Sequence, residues 1–248
     1  NAWVKLDGAT PFLDEPVTTT VTLKRAGDGL LVRYAVNGTT LAAGDVNDFW
    51  VDDCFKKMRI PAGVLHRGEN EVTVAVDFMR TTNVETLYLV GDFGVRTEDV
   101  NTRVLTTLPE TLPLGDFADC HLPFYTGSVT YRIPGAALRA KGADTAARIL
   151  LQPRAQYAGL LKVTAQGKTT CLGWDPYCAD VTDAVKSGED VFVTVVGTRR
   201  NVFGPLHQLP AITGSYSPGS FVSSGNAWTD GYVRLPAGLE GLTLLLQK

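Results

Sequence analysis

The chain has 248 residues, 44% hydrophobic and 20% charged, with a net charge of −3. That is enough for one large or two ordinary domains, too apolar for a disordered chain, and without the basic run that would form a track for phosphates, so nucleic acid is not an expected partner. The longest apolar runs, residues 191–196 and 242–246, fall far short of the ~20 residues of a membrane-spanning helix, and no span is expected.

In chain order, short alternating runs of Val, Thr, Leu and Tyr separated by Gly, Pro, Asn and Asp predict strands. They lie over 17–24, 30–36, 72–76, 87–90, 129–133, 149–152, 160–165, 191–196, 232–235 and 242–247. The helical candidates are single turns at 62–66 and 182–186, each followed by a Gly suited to a left-handed cap. Asn37-Gly38-Thr39 is formally a glycosylation sequon. It reads better as a hairpin turn with Gly38 at positive φ.

The chain repeats itself. Gly68-Glu69-Asn70 and Gly188-Glu189-Asp190 lie 120 residues apart, each followed by an alternating strand. Upstream, Arg25-Ala26 through Asn37-Gly38 matches Arg154-Ala155 through Gln166-Gly167 at a spacing of 129. Each copy reads as strand, tight turn, strand, a variable loop with Trp, one helical turn, then a long strand. The fold expected is all-β, two antiparallel β-sandwiches in tandem, domain 1 over 1–104 and domain 2 over 105–248. The boundary belongs near 96–114, where Pro109 and Pro113 interrupt the pattern. Only the second copy has an extra amino-terminal strand, 129–133. The opening at Asn1, with no Met and no apolar leader, reads as a processed or excised piece of a longer protein.

Searches for chemistry return little. Cys54, Cys120, Cys171 and Cys178 lack C-x-x-C spacing and leave three pairings open. Cys171 and Cys178, seven apart, either pair in an oxidising compartment or are buried thiols on neighbouring strands. Gly167-Lys168-Thr169 ends like a phosphate loop, but Lys162 stands where its first Gly belongs. There is no Gly-x-Ser-x-Gly elbow, and His66, His121 and His207 are scattered. The acidic pairs Asp14-Glu15 and Asp52-Asp53 are adjacent residues that point to opposite faces of a strand, so solvation explains them more simply than acid–base work.

Domain 2 carries Leu122-Pro123-Phe124-Tyr125-Thr126-Gly127, then Leu172-Gly173-Trp174-Asp175-Pro176-Tyr177, then the Gly188-Glu189-Asp190 turn and Arg199-Arg200-Asn201-Val202-Phe203-Gly204-Pro205. This series, over most of 110–248, resembles the galactose-binding-like jelly roll that serves as a sugar-binding domain in family 2 glycoside hydrolases and in large rhamnosidase-like bacterial enzymes. Domain 1 resembles it through Val36-Asn37-Gly38, Phe49-Trp50-Val51-Asp52 and Gly68-Glu69-Asn70, and lacks the Pro-Phe-Tyr-x-Gly opening.

The resemblance implies an accessory region, non-catalytic in itself, of a bacterial glycoside hydrolase, extracellular or at the cell surface. Its partners would be glycan and an upstream catalytic domain of the same polypeptide. In such parents the catalytic pair sits in a (β/α)8 barrel of ~250 residues, for which this chain lacks the pattern and, with two sandwiches filling it, the length. No cofactor is implied, beyond a structural calcium ion of the kind such sandwiches hold through loop carboxylates.

A sugar site needs an aromatic face and planar polar groups on loops at one end of a sandwich. The residues that offer these are Trp174, Asp175 and Tyr177, with His207 and Gln208 approaching the same end. Trp50, Asp52 and Asp53 form the corresponding loop of domain 1. The alternatives are architectural: packing or docking for Trp174, Tyr177, Phe124 and Tyr125, and a buried hydrogen-bond hub at Arg199. A spacer without ligand, a stand-alone lectin or adhesin, and a β-sandwich lyase are the rival readings of the whole.

Overall fold

The computed structural model describes residues 2–6, 15–24, 32–42, 48–52, 55–77, 80, 86–100, 102–139, 143–156, 158–212 and 223–247, with the backbone alone at 2–6, 15–24, 144 and 156. The protein is mostly β, with a few short helices, and divides into two compact units, Asn1–Leu108 and Pro109–Lys248. No helix of the described residues is long and apolar enough to cross a membrane.

Unit 1 contains β1 (Ala2–Leu6), β2 (Glu15–Lys24), β3 (Val32–Val36), β4 (Thr39–Thr40), β5 (Lys56–Ile60), β6 (Gly68–Val76), β7 (Tyr88–Val90), β8 (Gly94–Thr97) and β9 (Arg103–Thr106). They form a three-stranded sheet in the order β5-β1-β7 and a six-stranded sheet in the order β4-β3-β6-β2-β9-β8. Val36, Leu41, Met58 and Ile60 make its buried cluster. The expectation of purely antiparallel pairing fails here, because β1 runs parallel to β5 and β7, and β2 parallel to β6. A parallel neighbour needs a connection of a dozen residues or more, and residues 25–67 supply one between β2 and β6. The β8–β9 hairpin runs to Thr106, and the two units divide after Leu108, inside the stretch 96–114.

Unit 2 contains β10 (Gly115–Asp116), β11 (Ser128–Ile133), α1 (Gly135–Arg139), β12 (Arg148–Gln156), β13 (Leu160–Ala165), β14 (Lys168–Leu172), β15 (Ala179–Asp180), α2 (Thr182–Ser187), β16 (Val191–Val196), α3 (Arg200–Phe203) and β17 (Gly238–Gln247). Two four-stranded sheets, β10-β17-β12-β15 and β11-β16-β13-β14, are antiparallel throughout. Both feed one apolar cluster, with Ile149, Leu151 and Leu239 from the first and Leu161, Val163, Val191, Val193 and Val195 from the second. The period-2 alternation of β16 accounts for this, since every second Val faces in while Phe192 faces out.

The sequence repeat is visible in the ladders. The trio β4-β3-β6 and the trio β14-β13-β16 share order and antiparallel direction. Each hairpin turns on two residues of positive φ, Asn37 (47°) with Gly38 (77°) and Gln166 (49°) with Gly167 (72°), which is the type I′ signature. In each, the amide at the first position reaches the segment around the start of the return strand. Asn37 Nδ2 donates to Val64 O (2.7 Å) and Asn70 Oδ1 (2.8 Å), and Gln166 Nε2 donates to Ser187 Oγ (3.4 Å). Beside β16 lies β11; the same place beside β6 is taken by β2, running the other way.

Two local expectations are corrected. Residues 62–66 form a turn without helix, whereas 182–187 is helical and ends on Gly188 at φ +81°. Residues 232–235 form no strand: Leu235 pairs instead with the Asn201 side chain, which donates to its carbonyl (2.7 Å) and accepts from its N–H (2.8 Å).

Candidate functional site

The ladder registers decide which loops of unit 2 share an end. Ser128 and Leu160 both pair with Val196, and Leu161 pairs with Leu172. In the other sheet Asp116 and Gln156 pair with Gly238, and Leu151 with Ala179. Residues 157–159 join β12 to β13, and Gly159 N–H donates to Val196 O (2.8 Å). The connections 117–127, 157–159, 173–178 and 197–237 therefore leave from one end. The opposite end is closed by α1 and α2, where the Arg139 guanidinium donates to the carbonyls of Val185 and Lys186, and Asp190 accepts from Arg132 Nε (2.5 Å) and Gly135 N–H (3.1 Å).

Aromatic side chains are distributed unequally between these ends. Among the described residues, every exposed Tyr and Trp of unit 2 lies on the first set of connections: Tyr125, Trp174, Tyr177, Trp228 and Tyr232. Trp174 is 80% exposed, on the turn between β14 and β15. Asp175, joined to Pro176 by a cis peptide bond, and Tyr177 are exposed beside it. Cys178 N–H donates to Pro176 O (2.8 Å), closing the turn from within. Exposure of this degree runs against a packing role for Trp174 inside unit 2.

The sequence reading brings His207 to this same end, but not as an open ligand group. Its imidazole stacks on Trp228 with centroids 4.6 Å apart and planes 15° from parallel, and meets Tyr232 edge-on at 5.1 Å. Tyr232 in turn packs edge-on against Phe124 at 5.6 Å. Nδ1 lies 2.9 Å from Thr229 O, which can only accept, so Nδ1 carries the proton. Trp228 itself is 49% exposed, and its Nε1–H donates to Asp230 Oδ1 (3.0 Å). Trp228 and Asp230 escaped the sequence reading. The Trp-x-Asp spacing between Gly225 and Gly231 was the available sign.

Trp50 and Asp52 belong to unit 1 and are set differently. Trp50 is half-buried against Phe55 (6.5 Å) and Tyr88 (6.3 Å). A tight turn holds it, with Trp50 N–H donating to Phe55 O (2.9 Å) and Phe55 N–H to Asp52 O (2.9 Å). Asp52 is exposed on that turn; Asp53 lies outside the described residues. This Trp is a packing residue, unlike Trp174.

The buried arginine of the Arg-Arg-Asn segment is Arg200, and Arg199 is exposed, so the buried hub expected at Arg199 is not there. Arg199 stands at the N-terminal boundary of the helical turn without a side-chain capping bond, and the first residues of that turn face the interior. Cys120, Cys171 and Cys178 are free thiols, Cys171 exposed, which removes the pairing of Cys171 with Cys178 and the picture of two buried thiols. Burial first, then the Asp119 and Asp116 carboxylates, push the Cys120 thiol up, away from the reactive thiolate. Cys54 lies outside the described residues. Among the described residues, no group of three His, Cys, Asp or Glu side chains is placed to hold a metal ion.

No family model matches the chain, and comparison with curated proteins and with solved structures found no match.

Proposed function

We propose that this chain is a non-catalytic carbohydrate-binding or accessory region of a bacterial glycoside hydrolase, with unit 2 as a galactose-binding-like jelly roll that holds glycan near the catalytic module. The strand order supports the fold reading: numbered along the chain, β10, β12, β15 and β17 lie in one sheet and β11, β13, β14 and β16 in the other, the alternation an eight-stranded jelly roll requires. The gathering of exposed Tyr and Trp side chains at one end carries the functional reading. An 80%-exposed indole with a carboxylate beside it suits a pyranose, whose C–H face stacks on the ring while its hydroxyls donate to the acid. Tethered to an enzyme, millimolar to micromolar affinity, about 4 to 8 kcal/mol, suffices.

A glycan array probed with the whole chain tests this, followed by titration of any retained glycan against Trp174→Ala. Retention that this substitution weakens is the expected result. An array without signal, or release of sugar from aryl glycosides by the purified chain, would overturn the reading. For unit 1 a spacer role is the second reading, favoured by the packing of Trp50 between Phe55 and Tyr88.

A further inference from the structure

From the geometry around Trp228, and resting on the glycan-binding reading of unit 2, we infer that Trp228 and Asp230 form a second pyranose platform, with His207 as its backing rather than as a ligand contact. Three observations carry it. The first is rigidity. The indole lies on an imidazole that is fixed by Thr229 O and wedged by Tyr232, which rests on Phe124. The strip carrying Trp228 is clamped by Leu209 N–H to Ala227 O (2.8 Å), Thr229 N–H to His207 O (3.1 Å) and the bridge between Gln208 and Trp228. A ring held in place before binding loses little rotamer freedom when a ligand arrives.

The second observation is exposure. With one face on His207, the indole remains 49% exposed. A Trp kept half in water by four supporting groups is better placed to receive a flat apolar partner than to fill a core. The third is the polar edge. Asp230 accepts the indole N–H through Oδ1, and a carboxylate at the rim of an aromatic plate accepts from sugar hydroxyls while repelling a carboxylate on the ligand. The class of ligand is therefore a neutral pyranoside, and uronic or sialic acids are disfavoured.

His207 acts through Trp228 and is a positioning residue. It was the polar candidate in this segment, yet its ring face is covered by the indole and its Nδ1 is committed to the backbone.

The test uses the whole chain and NMR observation of the Trp indole N–H signals during titration. The probes are the methyl glycosides of galactose, glucose, mannose and rhamnose, with methyl glucuronide as the charged comparison. The expected result is that the Trp228 signal shifts with a neutral glycoside, that Trp228→Ala weakens its binding tenfold or more, and that Trp228→Phe restores part of it. His207→Ala should weaken binding less and broaden the Trp228 signal in the free protein. If a probe binds and depends on Trp174 while Trp228→Ala leaves affinity unchanged, the platform is wrong and the glycan reading stands. If no glycoside moves any indole signal and none is retained on an array, the glycan reading itself is wrong. Stronger binding of the glucuronide than of every neutral glycoside would overturn the assigned ligand class.

Discussion

His207 and Trp228 lie face to face, ring centroids 4.6 Å apart and planes 15° from parallel. The pair joins the two halves of the long connection between β16 and β17. Its described parts, 197–212 and 223–237, are therefore folded together, stitched at the base by Asn201 and Leu235 and further out by Val233 N–H to Leu206 O (2.6 Å).

Asn201 is the residue whose loss should be felt most in that segment. It is buried, and its amide satisfies both backbone groups of Leu235 in the manner of a neighbouring strand. Asn201→Ala leaves a buried N–H and a buried carbonyl without partners, each costing about 1 to 3 kcal/mol. A loss of about 2 to 4 kcal/mol is expected in urea unfolding of the chain. A loss under about 0.5 kcal/mol, the size of an ordinary surface change, would mean that Leu235 finds other partners.

Two glycines separate backbone strain from collision. Gly167 sits at φ +72° in the β13–β14 turn with open space where a Cβ would go, so Gly167→Ala should cost only the left-handed penalty, about 1 kcal/mol. Gly238 opens β17 against β10, and a Cβ there would overlap the Gly115 carbonyl oxygen. Gly238→Ala should cost about 3 kcal/mol or more and expose the β10 edge, since the neighbour in the way is backbone. Equal melting temperatures for the two variants would contradict this.

Acid should loosen the α2 end through Asp180. Hydrogen bonds from the Thr182 side chain and then from Arg148 lower its carboxyl from 3.8 to about 2; Oδ1 accepts from Thr182 Oγ1 (2.6 Å) and Oδ2 from Arg148 Nε (2.7 Å). A pKa lower in the folded than in the unfolded state gives stability that is full above about pH 4 and lost as pH falls toward 2. The unscreened linkage is about 2 kcal/mol, but with the side chain 45% exposed, solvent screening reduces it to about 1 kcal/mol. Asp180→Asn should flatten the fall in stability between pH 4 and pH 2 by that amount. Superimposable acid limbs for the two proteins would argue that the pair contributes nothing.

The legible parts of the fold were those where burial imposes a period. β16 was bounded correctly at 191–196 because Val191, Val193 and Val195 alternate into the core. β14 was missed because Lys168-Thr169-Thr170-Cys171-Leu172 buries only Leu172 at the sheet edge, which leaves no alternation to read. The stretch 232–235 reads as a strand from its Tyr-Val-Arg-Leu residues, yet its backbone pairs with the Asn201 side chain and with Leu206 O rather than with a neighbouring strand. The Trp174 turn was readable as aromatics set in a Pro turn. The stack of Trp228 on His207 was not, since nothing in local sequence shows which distant rings meet face to face.

The two tryptophans that the sequence treats as equivalent should behave in opposite ways. Trp50 packs against Phe55 and Tyr88, which also pack on each other at 6.3 Å. Removing a ring from such a trio forfeits its buried area and two aromatic contacts worth about 0.5 to 1.5 kcal/mol each. Trp50→Ala should therefore cost about 2 to 4 kcal/mol of stability and leave glycan retention untouched. Trp174 stands 80% exposed, so Trp174→Ala should change stability by less than about 0.5 kcal/mol and weaken retention. Calorimetry and a glycan array on the same two variants give the four readings. A Trp174→Ala protein that unfolds early but holds glycan as tightly as the unsubstituted chain would show the indole to be a packing residue after all, and would return the turn to an architectural role.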